Sequence, residues 1–346
     1  MKNNLEKIYI IAEAGVNHNG DVNIAKRLIE VATECGADCV KFQTFKAEKV
    51  ATAVAPKAEY QLQVTDKSES QLDMLKKLEL NFGVHQELMN HCRKLGIEFL
   101  STPYSIDDVD FLEKLGVNAY KIASGQIVEP PILTAVAQTG KPIYLSTGMA
   151  TLGEVDEAVR TLHAAGNERL VLLQCTTNYP SRIEDANLLA IPTMAAAFGT
   201  AMGYSDHTQS DTACLVAIGL GARVIEKHLT LDKSLPGPDH SSSAEPEKFA
   251  RLVASIREAE LALGSGRKEP SQVELVNAPG MRRSIVAGRK IRKGEVFHEG
   301  MFAFKRPGTG IRPGLLPELL GCIAKRDIEP DEMITWGVCG DRQCRT

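Results

Sequence analysis

The feature that most constrains this chain is a repeated alternation. Eight short apolar runs fall at residues 8–12, 39–44, 97–104, 119–125, 142–149, 170–176, 201–207 and 222–228. Helical segments separate them, such as the one capped by Asp21 that runs through Cys35, and the amphipathic stretch 152–165. Eight strands alternating with helices over roughly the first 265 residues predict an α/β fold, a closed (β/α)₈ (TIM) barrel. A doubly wound open sheet is the alternative, but no GxGxxG fingerprint follows the first strand.

The chemistry expected of a barrel sits beyond the C-terminal ends of its strands. Glu13, Lys41, Gln43, Ser101, Thr102, Lys121, Ser124, Ser146, Thr147, Ser205, His207 and His228 all fall there. Each has a plain reading as rim charge or turn chemistry. Together they place two lysines, several hydroxyls, a carboxylate and two imidazoles around one mouth. Lysines and hydroxyls suit a phosphate. His207 and His228 each close a strand, and neutral imidazoles on neighbouring strands suit a borderline divalent cation. Two ordinary polar histidines at strand ends would read the same way.

The rest of the sequence bounds the partners. Net charge is −4 and the isoelectric point about 6.1, which gives no basic footprint for nucleic acid. No run of about 18 apolar residues suggests a membrane span. The N-terminal apolar run contains Glu13 and reads as a first strand, not a signal peptide. The eight cysteines form no CxxC pair, and Cys35, Cys39, Cys92, Cys175 and Cys214, in apolar contexts, read as reduced core thiols of a cytoplasmic protein. Cys339 and Cys344 leave a terminal zinc or redox site open. The polar connection 45–70 is long enough to be functional. After residues 1–264, a polar stretch with Pro and Gly at 265–282 reads as a linker, and 283–346 as a small β-rich domain. In that domain KRPGTGIRP (305–313) is an Arg-bearing loop suited to reach a ligand, or a plain exposed turn.

Eight motifs in order carry a family resemblance: EAGVNHNG, VKFQTFKA, STPY, YKIASG, LSTGM, GYSDHT, IEKHLTLDKSLPGPDHSSS and FKRPGTGI. They span essentially the whole chain, which resembles the sialic acid synthase family. The resemblance implies a (β/α)₈ barrel joined to a C-terminal antifreeze-like (SAF) domain. It implies condensation of phosphoenolpyruvate with an N-acetylated hexose, N-acetylmannosamine by default, to give a nine-carbon 2-keto acid. A legionaminic or pseudaminic acid synthase using a 2,4-diacetamido-6-deoxy sugar is the alternative, and a non-catalytic sugar-binding or spore-coat scaffold a further one. No basic cluster is dedicated to a second phosphate, which argues against a sugar 6-phosphate. The resemblance also implies a divalent metal, commonly manganese with magnesium or cobalt as substitutes, on His207 and His228. Lys41, Thr102, Lys121, Ser124, Ser146 and Ser205 match phosphoenolpyruvate contacts. Gln43, Tyr179 and Asp239 match sugar contacts, and Glu13 matches an acidic residue beside the reacting centre. Arg306 matches an arginine offered across a domain-swapped homodimer to the acetamido group. One departure is Gln126, where many members of the family are acidic.

Overall fold

A computed structural model describes residues 7–342. The chain divides between Ser265 and Gly266 into two compact units. Eight parallel strands build the first: β1 Tyr9–Gly15, β2 Cys39–Thr44, β3 Glu98–Pro103, β4 Tyr120–Ile122, β5 Ile143–Ser146, β6 Leu170–Cys175, β7 Ala201–Asp206 and β8 Val224–His228. Hydrogen bonding runs in the order β3-β2-β1-β8-β7-β6-β5-β4, and the end strands β3 and β4 pack side by side. The result is a nearly closed TIM-like barrel.

Local chemistry starts and stops the surrounding helices. Asp21 accepts from the backbone N–H groups of Asn23 and Ile24 and starts the helix Val22–Glu34. That helix buries Ala25, Leu28, Ile29 and Ala32, positions spaced three and four apart, against the barrel wall. The helices Phe82–Leu95 and Ile106–Leu115 end on left-handed glycines, Gly96 and Gly116.

The long connection after β2 is not a plain loop. It holds three short helices, Ala47–Val50, Glu59–Val64 and Gln71–Lys77. Gln61 Oε1 accepts from Ala58 N at 3.0 Å and Ser70 Oγ from Asp73 N at 3.1 Å, so side chains satisfy the helix starts. Lys57 is buried beneath them, with Nζ 2.7 Å from Asp66 O and 3.2 Å from Glu69 Oε2. The stretch expected to be a linker likewise contains a helix, Gln272–Met281. Ser271 and Glu274 form its capping box and none of its residues is buried, so capping rather than packing accounts for its turns.

The second unit is small and β-rich. Strands β9 Ser284–Ala287 and β10 Phe302–Lys305 pair antiparallel, as do β11 Cys322–Ala324 and β12 Cys339–Arg342. Its own core includes Ile285, Ile291, Phe297, Leu319, Ile328 and Ile334. Arg306 is exposed, and its Nε donates to Met281 O at 3.1 Å. All seven described cysteines are free; Cys339 Sγ donates to Thr335 O at 3.3 Å, and Cys344 lies outside the described residues.

Gly203 shows how tightly the barrel is filled. A Cβ there would stand 2.4 Å from Leu173 Cδ2 and 2.7 Å from Val224 O. Both neighbours belong to paired strands that cannot move aside singly. Gly203→Ala should therefore cost about 1–3 kcal/mol by overpacking, read as a lower urea midpoint; an unchanged midpoint would show that the wall yields.

Candidate active site

Strand alternation aims the functional side chains into the barrel mouth. Lys41 and Gln43 lie two apart on β2, and Glu226 and His228 two apart on β8, so each pair shares a face. The register sets Glu13 beside Lys41 on one side and His228 on the other. It also sets Gln43 beside Thr102 and Ser205 beside Glu226. Gly15, at a bulge in β1 with φ +51°, turns the chain out directly after Glu13.

One cavity collects Glu13, Lys41, Gln43, Thr102, Lys121, Ser124, Ser146, Tyr179, Ser205, His207, His228 and Asp239. Of the residues singled out in the sequence, Ser101 and Thr147 turn aside from it. Ser101 Oγ is 2.7 Å from Thr44 Oγ1, and Thr147 Oγ1 donates to Leu173 O at 3.0 Å, so both secure backbone geometry. Arg306 belongs to the second unit. Gln126 does not line the cavity either. Its Nε2 donates to Pro103 O at 2.9 Å and its Oε1 accepts from Ala123 N at 3.2 Å. It thereby ties the end of β3 to the chain leaving β4, where a carboxylate would lack the donor.

The cavity floor is a buried charge network. Lys41 Nζ lies 2.8 Å from Glu13 Oε2, 3.8 Å from Glu226 Oε2 and 3.3 Å from Thr102 Oγ1. Lys121 Nζ lies 3.7 Å from Glu226 Oε1, which also accepts from Ser205 Oγ at 2.9 Å. Burial opposes charge on Lys41, but Glu13 and Glu226 outweigh it and hold the ammonium above its ordinary value. Burial lowers Lys121, with Glu226 pulling the other way. Burial would raise Glu226, yet the two lysines keep it below the usual carboxylate range. For Glu13 burial prevails over Lys41, with Glu226 adding to it, and the carboxyl is pushed up to about 7.

Glu226 is the main residue that the sequence reading passed over. It sits in the same IEKH motif as His228, and a period-two reading of β8 places both on one face. Cys175, Tyr60, Tyr104, Gln61 and Gln71 also line the cavity.

Above the floor stand the two imidazoles, with ring centroids 5.3 Å apart. His207 Nδ1 lies 2.7 Å from Thr176 O and donates to it, which leaves Nε2 as a lone-pair donor. His228 Nδ1 is buried with no hydrogen-bond partner, and burial, then the charge of His207, hold that ring well below its ordinary pKa. Asp239 Oδ2 stands 3.9 Å from His228 Nδ1, and burial pushes its carboxyl up to about 6. Burial opposes a proton on His207, but Cys175 beside it outweighs burial and holds that ring above its ordinary value. A cation fits the free nitrogen of neutral His228 and would take the place of the proton on His207 Nε2. Among the described residues no cluster of three or more His, Cys, Asp or Glu side chains forms a full ligand set. The fit is thus to two protein ligands with the remaining positions left to water and substrate. Tyr179 packs on His207 at 4.0 Å and on Tyr60 at 4.8 Å between centroids.

Residues 28–268 match the model of the NeuB family, and residues 282–337 that of the SAF domain. The chain belongs to the NeuB family of nonulosonic acid synthases. Within that family it is 48% identical over 332 residues to the N,N'-diacetyllegionaminic acid synthase of Campylobacter jejuni, covering 95% of this chain and 99% of that one. It is 46% identical to the Legionella pneumophila enzyme of the same name, covering 95% and 93%. A solved structure of N-acetylneuraminic acid synthetase from Leptospira borgpetersenii superposes with a TM-score of 0.70 at 34% identity, covering 78% of this chain and 90% of that one. The barrel-plus-SAF architecture read from the motifs is the one found.

In this NeuB-family chain the loop after β1 is tied to the loop after β8. Asn17 Nδ2 donates to Leu229 O at 2.9 Å and to Ser243 Oγ at 2.8 Å. The adjacent His18 is 1% exposed, accepts from Gly20 N at 3.0 Å, and is held by burial at about 3 against an ordinary 6.5. Its folded value lies below the unfolded one, so the unfolded chain takes up the proton first. Stability is then lost as pH falls from about 6.5 towards 3. At pH 5 this group alone should remove about 2 kcal/mol. His18→Gln should keep more of its pH 7 stability at pH 5 in urea titrations than the parent protein; parallel losses would refute the assignment.

Proposed function

We propose that this chain condenses phosphoenolpyruvate with a 2,4-diacetamido-2,4,6-trideoxyhexose and water, giving a legionaminic-type nonulosonic acid and phosphate. The observation that carries the reaction class is the floor of two buried lysines ringed by hydroxyls directly below a pair of imidazoles. The sugar rests on likeness. The N-acetylmannosamine default gives way because identity to the two diacetyllegionaminic acid synthases is 48% and 46%, against 34% to the N-acetylneuraminic acid synthetase.

In this reading Lys41 and Lys121 bind the phosphate and carboxylate of phosphoenolpyruvate, and Thr102, Ser124, Ser146 and Ser205 supply neutral donors. Glu226 keeps the two lysines charged and apart until the substrate arrives. Carbon 3 of phosphoenolpyruvate attacks the sugar aldehyde, water adds at carbon 2, and phosphate leaves. Glu13, at about 7, can hold or release a proton beside that centre at neutral pH. Gln43, Tyr179 and Asp239 orient the sugar. A divalent metal such as manganese, held by His207 and His228, would supply Lewis-acid polarisation of the aldehyde. No helix among the described residues is long and apolar enough to cross a membrane; the cytoplasmic location in this reading rests on likeness to the family alone.

Phosphate release from phosphoenolpyruvate, with manganese and a panel of N-acetylated sugars, tests the reading. Turnover should be fastest with the diacetamido sugar, vanish with chelator and return with manganese. Sugar binding with no phosphate release would instead favour a non-catalytic scaffold.

The proposal extends to assembly. Arg306 is exposed on a Gly- and Pro-rich loop of a separate small unit, and a guanidinium suits an amide carbonyl. We propose that it serves the site of a second copy in a symmetric dimer. Arg306→Ala and His228→Ala should each be nearly inactive alone. Mixed and allowed to exchange subunits, they should regain activity, since one site per mixed dimer keeps both residues. Proven heterodimers without recovery would exclude the arrangement.

A further inference from the structure

The cavity has two compartments of opposite character. Its floor is charged and hydroxylated, as described. Its outer wall comes from the connection between β2 and β3, where Phe45, Met74, Leu75 and Leu78 present apolar surface and Tyr60, Gln61 and Gln71 polar groups. The two histidines lie between, and a continuous stack leads outward from them: Tyr179 on His207 at 4.0 Å, then Tyr60 on Tyr179 at 4.8 Å. A sugar with its aldehyde at the histidines must send its far carbons along that stack or away from the protein.

The two glutamines at the outer end are held by one another. Gln61 is buried, and its Oε1 accepts from Ala58 N at 3.0 Å and from Gln71 Nε2 at 3.3 Å. Its Nε2 donates to Tyr60 Oη at 3.3 Å, which leaves a second amide hydrogen. Gln71 spends an Nε2 hydrogen on Gln61 and keeps its Oε1 as an acceptor. Gln71 Nε2 likewise keeps a second hydrogen, so the pair has two free amide hydrogens and one free acceptor, the Gln71 Oε1, beside apolar surface. That is the complement of an acetamido group, whose carbonyl accepts, whose N–H donates and whose methyl is apolar. A hydroxyl in the same place would leave the methyl-sized apolar space unfilled.

We propose that Gln61 and Gln71 form the subsite that reads the second acetamido group of the sugar, with Met74 and Leu75 packing on its methyl. The assignment rests on the diacetamido reading of function and deepens it. It makes the β2–β3 connection the element that selects among nonulosonic acid precursors, while the barrel floor handles the part of the reaction they share.

The test compares kcat/KM for 2,4-diacetamido-2,4,6-trideoxymannose and for N-acetylmannosamine, with phosphoenolpyruvate saturating. Gln71→Leu removes the acceptor. Gln61→Glu removes the donor that Gln61 offers while keeping the oxygen that accepts from Ala58, so the helix start survives. Each should lower kcat/KM for the diacetamido sugar by about three- to tenfold, the worth of one neutral hydrogen bond. The value for N-acetylmannosamine and the KM for phosphoenolpyruvate should stay within about twofold of the parent's, on the same reasoning that neither contact is lost. Equal losses with both sugars, or no loss with either, would overturn the subsite and leave the proposed function standing. A parent enzyme that prefers N-acetylmannosamine would overturn the functional reading, and the subsite with it.

Discussion

Four ionised or ionisable side chains at the barrel floor, Glu13, Lys41, Glu226 and Lys121, govern the rest of this structure. Lys41, Lys121 and Glu226 have side chains only 4% exposed and Glu13 only 2%, so none can rely on water. Buried charges survive only when paired and hydrogen-bonded. Here Glu226 lies within ion-pairing reach of both lysines and takes the Ser205 hydroxyl as well, while Glu13 takes Lys41 and Gln43. The strand register exists in a form that makes these pairings possible, because a slip of one residue would turn each charge to the outer face.

The same network explains why a floor rich in lysine is not simply an anion sponge. Two carboxylates already share the positive charge. Any anion that enters must compete with Glu13 and Glu226 for the ammonium groups, so binding there would exchange partners instead of filling a vacant field. Such an exchange would leave Glu13 with less positive charge beside it and raise its proton affinity further, in keeping with the proton role proposed for it above.

Much of this was legible in the sequence. Eight apolar runs gave the eight strands because parallel strands buried on both faces have few ways to be polar. The site residues were legible because polar residues ending apolar runs stand out. Boundaries were less so. The run 119–125 yields only Tyr120–Ile122 as strand, since Ser124 and Gln126 turn into a tight helical turn and Gln126 spends its amide on the β3 end. Glu226 escaped notice because it lies within the run 222–228 beside Lys227, where neighbouring charges do not say which of them faces inward until the facing of His228 is known. The helix Gln71–Lys77 matches the helical segment legible around 72–80, but Ala47–Val50, Glu59–Val64 and Gln272–Met281 were hidden for a different reason. They rest on caps and local side-chain bonds, and short capped helices leave little apolar periodicity to read.

A last feature lies on the outside of the barrel. Asp206 and Lys227 are register partners on β7 and β8, and they form an ion pair with both side chains almost fully buried. Each immediately precedes a histidine of the mouth, His207 or His228, and faces the opposite way. The pair therefore works as a clamp between the two strands, placed behind the two histidines and independent of them. The distance between the imidazoles is fixed by chemistry that a metal never touches. A cation entering such a site meets nitrogens already in position, so little of its binding energy is consumed in assembling them. A cation leaving it leaves the geometry behind. On the function proposed above, a metal could come and go without loosening the frame that holds the two rings.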